Sequence, residues 1–255
     1  MATSPRHWKG GVVAEFSRRT SGCRRRLELL RKIPRVAVLS GFMRQNLIDN
    51  GFAPENVTVI PPPIEVPEQL PAGKESSPPV LLFTGQLIRG KGVDQLLRAL
   101  PLLRSDYRLV IAGEGNQRPE LERLAASLKV ADKVTFAGWV SDPERLYSTC
   151  DIAVLPFFWQ EPFGLVGPEA MTRGLPVVAF RVGGVDEWLR DGETGIAVPP
   201  RDTAGFAAAV DRLLADRELR LSLSVRGRKF VLENFSEAEF VRRFRAWMDS
   251  AGVAS

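Results

Sequence analysis

Residues 80–113 read VLLFTGQLIRGKGVDQLLRALPLLRSDYRLVIAG. VLLFT (80–84) is apolar from end to end. A strand with one wet face alternates, so this run predicts a strand buried on both faces. VDQLLRALPLL (93–103) spaces its leucines as a helix does, and RLVIAG (108–113) is a second apolar run. Strand, crossover helix and strand of this kind predict a right-handed βαβ unit on a parallel sheet.

The unit repeats downstream. VTFAG (134–138), IAVLP (152–156), PVVAF (176–180) and GIAV (195–198) read as further strands. RPELERLAASLKV (118–130), PERLYSTC (143–150), LVGPEAMTRG (165–174) and VDEWLRDG (185–192) read as the helices between them. The expected fold class is α/β: a doubly wound, Rossmann-like parallel sheet. Beyond 203 the pattern turns helical, over 204–216 and 219–234, with an amphipathic segment from Glu237 to Met248 behind the capping candidate Ser236.

Upstream, RVAVLS (35–40) and VTVI (57–60) read as strands around a helix, FMRQNLIDNG (42–51), closed by Gly51. PPPIEVPEQLPAGKESSPP (61–79) has the composition of a linker. Two strands and two helices cannot make a stable sheet domain alone. The expectation is a remnant of an N-terminal domain with a basic arm over 1–62, a linker over 63–79, a main domain over 80–235, and a terminal helix with its tail over 236–255.

Composition narrows the chemistry. At 255 residues with 44% hydrophobic and 25% charged residues the chain can bury a sizeable core, which excludes wholesale disorder. Cys23 and Cys150 are far apart, and the single histidine is His7. A disulfide framework, a tetrahedral zinc site, a Ser-His-Asp relay and an HExxH helix are therefore excluded. No apolar run approaches about 20 residues and the N-terminus lacks a signal-like stretch, so a cytoplasmic location is expected.

Charge is concentrated in the arm. Residues 1–40 carry a net +8 and the remainder a net −3. RRTSGCRRRLELLRK (18–32) fits an electrostatic grip on nucleic acid or on the inner face of an anionic membrane. The favoured alternative is a solvated helix face with Leu27, Leu29, Leu30 and Ile33 turned inward. Nucleic acid is not expected as a partner, because no stacking aromatics or nucleic-acid motif accompany the arginines.

In an open parallel sheet, ligands bind at the carboxyl ends of the strands. Four loops there carry candidate residues. Gly85-Gln86-Leu87-Ile88-Arg89-Gly90-Lys91-Gly92 combines flexible backbone with Arg89 and Lys91, charges suited to phosphate, without Walker spacing. Gly113-Glu114-Gly115 is a truncated dinucleotide fingerprint or a turn lining the pocket. PFFWQEPFGLVGPEAMTRGLPVV (156–178) holds Glu161 in a loop, Phe163-Gly164-Leu165 at a helix entrance, and Glu169 a turn further in. Free amides at a helix start favour anions, and a carboxylate such as Glu169 matches the paired hydroxyls of a ribose. Alternatively Glu169 caps the helix and Glu161 is a surface acid. Val182-Gly183-Gly184-Val185-Asp186-Glu187 permits either close approach to a ligand or tight packing.

Taken in order, G-x-L-x-x-x-K-G, then E-x7-E enclosing FGL and EAM, then GGxxE, these loops resemble the donor-binding half of the family 4 retaining glycosyltransferases. The likeness runs from about Val80 to Met248, and its most specific element is EPFGLVGPEAMTRGLPVVA (161–179). Residues 35–62 resemble the end of the first domain of those enzymes, including the S-x-F-M helix and the VIPPPI stretch.

The resemblance implies the GT-B fold of two facing Rossmann-like domains, and a donor that is a nucleotide-diphosphate sugar acting as substrate, with no cofactor. It implies Glu161 and Lys91 as the catalytic pair, with Lys91 on the diphosphate and Glu161 on the transferred sugar. Gly85, Arg89, Phe163, Gly164, Leu165 and Glu169 join Lys91 in binding the donor, Glu169 holding the ribose, and Gly138-Trp139-Val140 lies beside the base. Transfer to a hydroxyl acceptor would proceed with retention. No Asp-x-Asp motif is present to place a metal, so Lys91 and the helix dipole would stabilise the leaving diphosphate.

Two departures stand out. The family's Arg after the first glycine is Gln86 here, with Arg89 as the candidate substitute. Most of the first domain, which forms the acceptor wall, is expected to be absent, leaving an apolar face for a partner or an oligomer contact. A nucleotide-sugar-binding module or gene fragment, needing a partner for activity, is the alternative reading.

Overall fold

The computed structural model describes residues 25–67 and 76–250. The basic arm through Arg24, with His7 and Cys23, lies outside the described residues, as do 68–75 and 251–255.

The first unit pairs β1 (Val36–Val38) with β2 (Val57–Val59) in parallel, joined by α1 (Gly41–Asp49). Val38, Phe52 and Val57 form a small buried cluster against which Leu27 packs. Leu29, Leu30 and Ile33 are exposed, so the expectation that all four turn inward holds only for Leu27.

The second unit is a six-stranded parallel sheet of β3 (Val80–Thr84), β4 (Arg108–Ala112), β5 (Val134–Gly138), β6 (Ile152–Leu155), β7 (Val177–Phe180) and β8 (Ile196–Val198). Its order is β5-β4-β3-β6-β7-β8, the doubly wound arrangement the apolar strands imply. Residues of β6 and β7 are buried throughout, as strands covered on both faces must be. The crossovers are α2 (Val93–Ala99), α3 (Arg118–Ser127), α4 (Pro143–Ser148) and α5 (Val166–Thr172). Then follow α6 (Thr203–Ala215), α7 (Arg217–Asn234) and α8 (Glu237–Asp249), begun by the side-chain caps Asp202, Asp216 and Ser236. No described helix is long and apolar enough to cross a membrane.

Three differences from the expected elements have local causes. α2 stops at Ala99, because Pro101 has no amide hydrogen to continue the helical bonding; a 3-10 turn, Leu100–Leu102, replaces its last turn. The segment expected as a helix over 185–192 is a 3-10 turn, Gly183–Glu187, ended by Trp188. The Trp188 indole is buried and donates to the Phe163 carbonyl at 2.6 Å, a tertiary anchor that overrides the helical pattern. Within the Pro-rich stretch, Ile64 is buried in the main core and its amide donates to the Phe235 carbonyl at 2.8 Å. Each large side chain so buried contributes roughly 1.5–3 kcal/mol.

Strand order reverses between β3 and β6, which lie side by side. The crevice above their carboxyl ends is where such a sheet binds ligands.

Candidate functional site

The loop after β3 lies on the loop after β6. Gly92 has φ 72°, and a Cβ there would stand 1.8 Å from the Pro156 carbonyl oxygen, so only glycine allows the approach. The amides of Phe158 and Trp159 both donate to the Gly90 carbonyl at 3.0 Å. These contacts bring Lys91 Nζ to 2.6 Å from Glu161 Oε1 and 5.2 Å from the centroid of the Phe157 ring. The Glu161 side chain is only 11% exposed, so its charge needs this partner.

The Glu161 loop is fixed from beneath. Phe157 and Phe163 are fully buried, and the Phe163 ring meets Phe235 edge-on at 5.4 Å. The Gly184 amide donates to the Glu161 carbonyl at 2.7 Å. A Cβ on Gly183 would come within 2.3 Å of that carbonyl oxygen, and one on Gly184 within 2.2 Å of the Pro162 carbonyl oxygen. The paired glycines thus lie against the backbone of the Glu161 loop rather than against a helix. Among the described residues, the amides of Phe163, Gly164 and Leu165 have no acceptor.

A cavity of about 700 Å³ opens at the carboxyl ends of β3, β4 and β5, and neither Lys91 nor Glu161 belongs to its lining. Gly85, Gln86 and Thr84 line it from β3, Gly113 and Glu114 from β4, and Trp139 and Val140 from β5. Val166 and Glu169 of α5 and Arg173 just after it form the facing wall, with Tyr147 of α4 and Glu65 of the Pro-rich stretch. Trp139 is 81% exposed, its ring free at the rim.

Burial raises the Glu169 pKa above its usual value, and the charge of Glu65 adds to the rise while Arg173 opposes it. Arg173 itself pairs with Glu144 and lies 5.0 Å from the Tyr147 ring centroid. Burial pushes the Tyr147 hydroxyl up to about 12, so it stays protonated and able to donate. The cavity therefore brings a buried carboxyl group and the exposed ring of Trp139 into one concavity.

Of the residues expected at a donor site, Gly85, Val140 and Glu169 share this cavity, and Lys91 is paired with Glu161. Phe163 and Gly164 connect the pair to the cavity wall at Val166, and Leu165 is exposed. Arg89 lines a different cavity, of about 810 Å³, with Gln117, Arg98 and Phe158; Gln86 is the side chain of that loop that faces the Glu169 cavity. The Gly113-Glu114-Gly115 turn does line the pocket, through its first two residues. Glu65, Thr84, Tyr147 and Arg173 escaped the sequence reading. Thr84 ends the β3 run and Arg173 lies inside the 161–179 motif, so both carried a local signal, whereas Glu65 reaches the cavity through a tertiary contact, its carbonyl accepting from Thr172 Oγ1 at 3.2 Å.

Residues 68–230 match the sequence profile of the glycosyl transferases group 1 family. The chain belongs to that family. Among group 1 relatives, D-inositol 3-phosphate glycosyltransferase of Acidothermus cellulolyticus is 37% identical over 242 residues, covering 85% of this chain and 52% of that protein. The lipopolysaccharide core biosynthesis glycosyltransferase LpsE of Rhizobium meliloti is 36% identical over 158 residues, 62% of this chain and 46% of the other. The chain spans about half the length of the curated relatives it matches. Among solved structures, Anabaena HepE in complex with UDP-glucose superposes with a TM-score of 0.81 at 21% identity, over 97% of this chain and 70% of that one. That likeness establishes a Rossmann-like fold of the GT-B kind.

Proposed function

We propose that this chain carries the donor half of a retaining, metal-independent glycosyltransferase, which moves a sugar from a nucleotide diphosphate to a hydroxyl acceptor. The observation that carries the reading is that the Lys91–Glu161 pair and the Glu169 cavity both lie in the loops after strands on the two sides of the reversal of strand order. The names of the relatives, transferases of sugars onto several acceptors, support it.

Glu169 accepts from the ribose hydroxyls, and Trp139 and Val140 flank the base. Lys91 turns its ammonium to the diphosphate, whose charge grows as the glycosidic bond breaks; a fixed cation in a half-buried site stabilises that charge best where it develops. Glu161, freed from Lys91, accepts from hydroxyls of the sugar, with the free amides at 163–165 beside it. The leaving phosphate takes the acceptor proton on the same face, so configuration at the anomeric carbon is kept. The acceptor wall comes from a first domain, of which 35–62 is the final part.

The purified chain is expected to bind one nucleoside diphosphate and to release little sugar to any acceptor. A calorimetric titration together with a transfer assay tests both halves. Binding without transfer agrees with the reading, and robust transfer by this chain alone contradicts its assignment as the donor half.

A further inference from the structure

The Gly183–Glu187 turn is bonded to two separate parts of the molecule. On one side, the Gly184 amide holds the Glu161 carbonyl at 2.7 Å. On the other, Glu187 Oε1 accepts from the Gly41 amide, the first of α1, at 2.5 Å. Ser40, fully buried, completes the connection: its Oγ caps α1 by accepting from the Met43 amide at 3.2 Å and donates to the Pro162 carbonyl at 2.5 Å. Helix α1 of the first unit is thus bonded both to the residue after Glu161 and to the turn that holds Glu161. The turn is packed closely on the Glu161 loop: its glycines sit against the Glu161–Pro162 backbone with no room for a Cβ.

We propose that Glu187 is a positioning residue which, with Ser40, sets where Glu161 stands relative to α1, so that the grip on the transferred sugar depends on docking of the first unit. The inference rests on the donor-site reading above. A carboxylate on the first amide of a helix makes a charge-assisted bond favoured by the helix dipole. Without it, α1 loses an acceptor and the turn beneath Glu161 loses its outer anchor. Among the described residues no hydrogen bond runs from Gly183–Glu187 to a residue lining the Glu169 cavity, so the nucleotide part of the site should be little affected.

Calorimetry on the full chain with three matched probe pairs tests this: UDP and UDP-glucose, GDP and GDP-mannose, ADP and ADP-glucose. In the unaltered chain one nucleotide sugar is expected to bind more tightly than its nucleotide. Glu187→Ala should reduce that ratio by about tenfold while leaving the nucleotide Kd within about twofold. Glu187→Gln keeps an oxygen acceptor for Gly41 and should keep most of the ratio. Ser40→Ala should lower it in the same direction, and it carries the test should Glu187→Ala fail to fold. A Glu187→Ala chain with an unchanged ratio overturns the proposal. So does one in which nucleotide and nucleotide sugar weaken together, the mark of a loosened fold. If the unaltered chain binds nucleotides but no nucleotide sugar more tightly, the positioning role falls alone; if it binds no nucleotide, the donor reading falls and takes this inference with it.

Discussion

Lys91 Nζ and Glu161 Oε1 stand 2.6 Å apart across 70 residues of sequence, joined because the loops after β3 and β6 lie against each other where strand order reverses. Removing one partner leaves the other charge half-buried and unpaired. Lys91→Met is therefore expected to destabilise the fold by on the order of 1–3 kcal/mol, and the double variant with Glu161→Gln to recover part of that loss. Urea denaturation of the two singles and the double measures the coupling. Strictly additive losses would mean the pair contributes nothing.

Glu169 carries a stability cost at neutral pH. Its folded pKa is raised by burial, so the stability linked to its protonated form is full below the unfolded value of 4.5 and is lost as pH rises through the folded value. Glu169→Gln should accordingly raise Tm at pH 7, and the advantage should shrink as pH falls towards 4.5. The same variant should weaken nucleotide binding, a trade of stability against function at one residue. Thermal melts across that pH range read the first effect, and a constant difference in Tm would remove the burial argument.

Trp139, with its ring exposed at the cavity rim, suits stacking on a base far better than it suits the core. Its emission should change on nucleotide binding, and Trp139→Ala should cost about 1–3 kcal/mol of affinity, as loss of one stacked base does. Equal affinities of the two chains for the same nucleotide would place the base elsewhere.

Gly92→Ala probes the loop contact itself. A Cβ there meets the Pro156 carbonyl at 1.8 Å in a left-handed backbone, so Lys91 must move with the loop. Loss of nucleotide affinity greater than that from Lys91→Met is expected, measured by titration. A wild-type affinity would show that the close approach of these loops does not matter to the site.

The sheet was legible because β3, β4, β6 and β7 are apolar runs, a pattern that two covered faces impose on any sequence. The neighbourhood of Lys91 and Glu161 was legible for the same reason, as both follow recognisable strands. Glu65 was not, because a Pro-rich stretch carries no periodicity, and only the burial of Ile64 beside it turns Glu65 towards the cavity. Arg89 shows the converse. Its sequence neighbours pointed to phosphate, but the turn Arg89–Lys91 directs it to the groove between α2 and α3. The turn at 183–187 escaped because the indole bond of Trp188 to Phe163, a contact between distant segments, outweighs the local helical pattern.

Whether Glu169 holds the nucleotide while Glu161 holds the sugar is decided by titrating wild type, Glu169→Ala and Glu161→Ala with UDP, GDP and ADP in one calorimetric series. One nucleotide should bind the wild type with a Kd below about 1 mM, Glu169→Ala should weaken it by about tenfold or more, and Glu161→Ala should change it little. Equal losses from the two variants, or no binding of any of the three to the wild type at millimolar concentration, would contradict it.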